Sequence, residues 1–111
     1  MKHITFASKS LLVGDDAADT LLEYAALLAQ SGQADTVELN AINADGNAVV
    51  ATFLLDAGAS LMAESTTSEI EAPDNTEAIG YMRSEIGSTF SALLPDDMRR
   101  RELDDRSPDG E

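Results

Sequence analysis

Apolar and polar positions in this chain fall into short patterned stretches, each of which predicts one element. Residues 3–7 (HITFA) alternate, with Ile4 and Phe6 on one side, and predict a strand. Ser8 to Ser10 read as a turn, and Leu11 to Val13 as a second short extended piece that Gly14 ends. From about 16 to 31, Ala18, Leu21, Leu22, Ala25, Leu28 and Ala29 recur at three- and four-residue spacing, which makes one apolar helix face. Asp15 and Asp16 offer carboxylates to its free N–H groups, and Gly32 is placed to stop it.

Residues 35–43 (DTVELNAIN) alternate again, with Val37, Leu39 and Ala41 on one side. Ala44-Asp45-Gly46-Asn47 supplies turn chemistry, and residues 48–55 (AVVATFLL) return, so the two stretches predict a β-hairpin. The returning strand is apolar on both faces: Val49, Ala51, Phe53 and Leu55 on one, Val50 and Leu54 on the other. Such a strand is expected at the centre of a sheet, covered on both sides. Residues 56–59 read as another turn, and 60–65 (SLMAES) as the third strand of a meander. Residues 66–75 are polar, contain Pro73 and read as loop.

Asp74 with Glu77 resembles a capping box, and Ile79, Met82, Ile86, Phe90 and Leu93 keep helical spacing after it. Gly80 and Gly87 weaken this second helix, which is expected to run through about 86. Pro95 marks a boundary. The expected fold is α+β: a small antiparallel sheet in β-α-β-β-β-α order packed with two helices, in a single domain over 1–94. Residues 95–111 are expected to be a flexible, disordered acidic tail, because Met98 and Leu103 are its only sizeable apolar groups.

Charge narrows the partners. Of 111 residues, 21 are acidic and seven basic, for a net charge of −14. Between Lys9 and Arg83 there is no Lys or Arg, yet thirteen carboxylates lie there, so no ion pair can form within that segment. Such a field repels phosphate backbones and anionic lipid, so direct nucleic-acid binding is not expected. Few Lys against more Arg, with abundant Ala and Asp, suits a high-G+C bacterium or a salt-adapted organism. No apolar run approaches the roughly 20 residues that cross a bilayer. Lys9 and the Asp15-Asp16 pair break any signal-peptide pattern, and cytoplasmic residence is the expectation.

Candidate chemistry is thin. Without Cys, thiol catalysis, thiolate metal sites and disulfides are excluded. His3 is the one histidine, so a triad or a His-based zinc site is not expected. An amino terminus with His at position three can wrap Cu(II) or Ni(II), although His3 fits a strand start better. Asn43, Asp45 and Gly46 suggest a calcium loop only faintly: Ala41 and Thr52 would stand at its first and twelfth positions, and neither is a suitable ligand. Ser65 to Ser68 offer hydroxyls without a base or an oxyanion hole, and no phosphate loop is present. Arg99-Arg100-Arg101 is flanked by acids, since the tail from 95 holds four Arg against seven carboxylates, and local pairing is favoured over nucleic-acid contact.

No catalytic, cofactor or metal residue is therefore assigned, and a non-enzyme is favoured over an enzyme. The leading expectation is a small acidic interaction or regulatory protein that acts through protein–protein contacts as a homodimer. Val50, Leu54, Met82 and Ile86 are its candidate self-association residues. A second reading is an acidic nucleic-acid mimic that inhibits a basic protein. A third is a small-ligand-binding protein or minor enzyme, with Tyr24, Thr52, Tyr81 and Arg83 lining a pocket between the first helix and the sheet.

Overall fold

The computed structural model describes residues 1–93, with side chains through Ser88. The tail expected over 95–111, including Arg99 to Arg101, lies outside the described residues, as do the side chains of Phe90 and Leu93. Within them the fold is α+β, with a five-stranded antiparallel sheet and two helices.

The chain opens with a hairpin, β1 (Lys2–Phe6) and β2 (Lys9–Val13), closed at the Phe6–Lys9 pair, with Ala7 left-handed at φ 56 in the turn. Helix α1 (Asp15–Ser31) follows directly. Its N-cap is Gly14, which makes no side-chain cap bond, so Asp15 and Asp16 do not cap as expected. They occupy the first turn and act on the helix end through charge alone. Glycine suits position 14 because a Cβ there would meet the Ala72 Cβ at 3.2 Å. Gly32 ends α1 as expected, left-handed at φ 69, and the Gln33 N–H bonds back to the Leu28 carbonyl at 2.9 Å.

The second hairpin, β3 (Asp35–Ile42) and β4 (Ala48–Leu55), pairs along its full length. Its turn is organised by Asn43, whose Oδ1 accepts the N–H groups of Asp45 (3.0 Å) and Asn47 (2.9 Å) while Gly46 takes a positive φ. β5 (Leu61–Ser65) and α2 (Thr76–Leu93) complete the order. α2 runs past residue 86, because Gly80 and Gly87 are exposed and cost only propensity. Asp74 Oδ1 accepts the Thr76 N–H and hydroxyl at its start, and the Asn75 carbonyl accepts the Ile79 N–H.

The strand order is β4-β3-β2-β1-β5, which corrects two expectations. β5 does not continue a meander from β4 but pairs with β1, Ile4 opposite Ala63 and Phe6 opposite Leu61. β4 is consequently an edge strand, not a central one. The physical reason is closure of the core. Strand register puts Ile4, Leu11, Val13, Val37, Leu39, Ala41, Phe53 and Leu55 on one face, and both helices pack there. The rings of Phe6 and Phe53 meet edge-to-face at 5.7 Å, although β2 and β3 lie between their strands. In a flat sheet that separation is about 14 Å, so the sheet curls around the face that holds the helices. Placing β5 beyond β1 lets Leu61 and Ala63 extend this concave wall.

β2 meets β3 through one residue pair, Leu12 with Ile42. Farther along β3, Asn75 takes the place of a strand. Its Oδ1 accepts the Asn40 N–H at 2.7 Å, and its Nδ2 donates to the Asn40 carbonyl at 2.8 Å. The side-chain amide thus satisfies both main-chain groups and ties the start of α2 to the sheet.

Candidate functional site

Two places gather polar or exposed groups beyond what the core needs. The first lies where α1, α2 and the start of β3 meet. Tyr24 on α1 is buried, Tyr81 on α2 is exposed, and both hydroxyls donate to Asp35 Oδ2 at 2.5 Å. Their rings meet edge-to-face at 6.3 Å. Burial pushes the Asp35 carboxyl up, but the two hydroxyls and the Thr36 N–H together hold it below its ordinary value. Burial and the same carboxylate push the Tyr24 phenol up, and the bond to Asp35 pushes Tyr81 up. Both phenols therefore keep their protons at neutral pH, so neither is a base. The arrangement is a polar clasp between two helices and a strand, with both strong donors already spent on one carboxylate.

Of the four residues expected to line a ligand pocket, the structure brings Tyr24 and Tyr81 together. Thr52 lies on β4 across the sheet from Glu38, and Arg83 is exposed on α2. Asp35, which joins the two tyrosines, escaped sequence reasoning because its only local sign was a strand start.

The second place is the outer edge of the sheet. β4 pairs with β3 on one side and, among the described residues, has no strand on the other. Toward the helices Phe53 and Leu55 are buried and Val49 and Ala51 half-buried, whereas Val50 and Leu54 on the convex face are 62% and 55% exposed. Residues 46–55 hold no charge, in a chain where carboxylates stand on nearly every element. Long, uncharged, apolar edges are the kind that pair with another strand, and β4 has no Lys, Pro or inward charge to blunt it. The opposite edge differs: β5 is five residues long and carries Glu64.

No family model matches this chain, and neither does any curated protein or solved structure.

The remaining candidates are placed by the same geometry. Met82 is fully buried in the chain's own core and Ile86 packs against it, which leaves Met82 no surface for a second copy. Of the four self-association candidates, only Val50 and Leu54 stand well out in solvent. His3 lies in β1, paired to β2 and β5 on either side, so the main chain of Lys2 and His3 cannot wrap a copper or nickel ion. Among the described residues no cluster of three His, Asp or Glu could hold a metal. In the Ser65–Ser68 run two hydroxyls shape the loop: Thr66 Oγ1 donates to the Met1 carbonyl at 2.8 Å and accepts the Ser68 N–H, and Ser68 Oγ accepts the Ile70 N–H.

The carboxylates are spread rather than banded. They stand on α1, in the turns at Asp45 and Asp56, on the convex face at Glu38 and Glu64, and before α2 at Glu69, Glu71 and Asp74. Two ion pairs occur among the described residues, Lys2 with Asp19 at 2.6 Å and the terminal amine with Asp15 at 3.3 Å. Among the described residues no helix is long and apolar enough to cross a membrane.

Proposed function

We propose that this protein is a non-enzymatic interaction or regulatory module that works as a homodimer joined through β4, in the cytoplasm of a bacterial cell. The observation that carries the reading is the uncharged edge strand with Val50 and Leu54 held in water. The second copy is favoured as occupant by symmetry and by charge. An antiparallel pair of β4 strands centred on Thr52 sets Val50 of one copy directly opposite Leu54 of the other. The arrangement is self-complementary, as a two-fold contact requires. Two chains of net −14 repel, and β4 itself carries no carboxylate into the contact.

The acidic-mimic reading gains nothing from the structure, since the carboxylates surround the fold instead of tracking one band. The test of the dimer is solution mass with a paired variant. The native chain is expected to run as a dimer at high micromolar concentration, and Val50→Glu/Leu54→Glu as a monomer with unchanged circular dichroism. Both residues are exposed, so the substitutions do not disturb the core. A native mass equal to one chain would overturn the proposal.

A further inference from the structure

The curl of the sheet leaves a groove of about 300 Å³ on the concave side of β4, facing the tip of the first hairpin. Phe6, Leu11, Val49, Ala51 and Phe53 form its apolar walls, with the Phe6–Phe53 ring contact within it. Lys9 stands at its margin, opposite Phe6 in the strand register. Among the described residues Lys9 makes no ion pair, while Lys2 is spent on Asp19.

Asn43 supplies a second donor. Its Oδ1 is engaged by the Asp45 and Asn47 N–H groups, which fixes the amide and leaves Nδ2 without a partner among the described residues. Charge singles this groove out. Four other concavities each contain a carboxylate: Glu38, Asp15, Glu23 or Asp35. This one contains none and holds Lys9.

We propose that the groove binds an amphipathic monoanion, a single carboxylate on an apolar body, with the carboxylate on Lys9 and Asn43 Nδ2 and the body against Phe6 and Phe53. One cation and one amide donor suit one negative charge. A polyanion would meet the net charge of the whole chain with too little to offset it. Lys9 is exposed, and a lysine stem can lie along an apolar wall with its ammonium in water, which would put the headgroup at the mouth of the groove. The site goes beyond the dimer reading: it is built on the side chains of Phe6, Lys9, Leu11, Asn43 and Phe53, none of which that pairing uses, although Val50 and Thr52 of the edge strand also line it.

The probe is decanoate, titrated into the full-length protein and followed by amide chemical shifts, beside decanol and decylamine. Saturable shifts confined to Phe6, Lys9, Leu11, Asn43 and Val49–Phe53 are expected with decanoate, with decanol weaker by about ten-fold and decylamine silent. Lys9→Met should weaken decanoate by about two- to five-fold and leave decanol unchanged. Asn43→Asp keeps both turn bonds but replaces the donor with a charge, and should abolish decanoate binding. Equal affinity for decanoate and decanol, shifts centred elsewhere, or no saturation in the native chain would each overturn the site. The titration is repeated on Leu54→Glu, whose residue lies outside the groove, where retained binding supports a site independent of pairing and lost binding overturns that independence.

Discussion

The Asp35 carboxylate shows how burial and hydrogen bonding compete at one atom. Burial favours its neutral form, and the hydroxyls of Tyr24 and Tyr81 more than reverse that. Its folded-state pKa therefore lies below the unfolded value. The stability it contributes is present above the unfolded value near 3.8 and is lost as pH falls through the lower folded one. In a Tyr24→Phe/Tyr81→Phe variant, burial acts against the Thr36 N–H alone. The Asp35 pKa is expected to rise, read by carboxyl-carbon NMR titration; an unchanged value would mean the hydroxyls do not set it. Asn75 carries a different load. Asn75→Ala removes both bonds to Asn40 and strands a main-chain N–H and C=O beside the helix start. About 2 kcal/mol of stability should be lost, measured by urea unfolding. Neither residue was legible in the sequence. Asp35 reads as a strand start and Asn75 as loop, while the partners that give them their roles lie 11 and 46 residues away for Asp35 and 35 away for Asn75.

Local pattern was most informative where an element answers to its own neighbours. α1, the β3–β4 hairpin and the Gly32 stop follow from spacing, turn chemistry and left-handed backbone that the chain states within a few residues. The placement of β5 did not, because its alternation fits beside β4 or β1 equally well. The choice is made by the curl that brings Phe6 to Phe53. The doubly apolar pattern of β4 signalled a need for cover but not its source: the helices cover one face, and Val50 and Leu54 remain open. Helix α2 shows propensity yielding to packing. Gly80 and Gly87 are exposed with open space around an added Cβ, while Met82 and Ile86 hold the helix to the core. Replacing both glycines with alanine should stabilise the protein by about 1 kcal/mol each, seen as a higher unfolding midpoint. A loss of stability would show that one of them makes a close approach.

At the scale of the whole molecule, a net charge of −14, with two ion pairs among the described residues, leaves the fold under its own repulsion. Salt screens exposed charges over about 10 Å at 0.1 M and more tightly above that. Raising NaCl from about 0.05 M to about 1 M should lift the melting temperature by on the order of 5 °C. A flat or falling profile would show that the repulsion is too dispersed to matter. The same repulsion confines self-association to a surface without carboxylates, and β4 supplies one. The most direct test is an isotope-filtered NOE measurement on a mixture of labelled and unlabelled chains near millimolar concentration. Intermolecular contacts are expected between the methyl groups of Val50 and those of the partner's Leu54, centred on Thr52. Intermolecular contacts that bypass β4, or none at all, would contradict it.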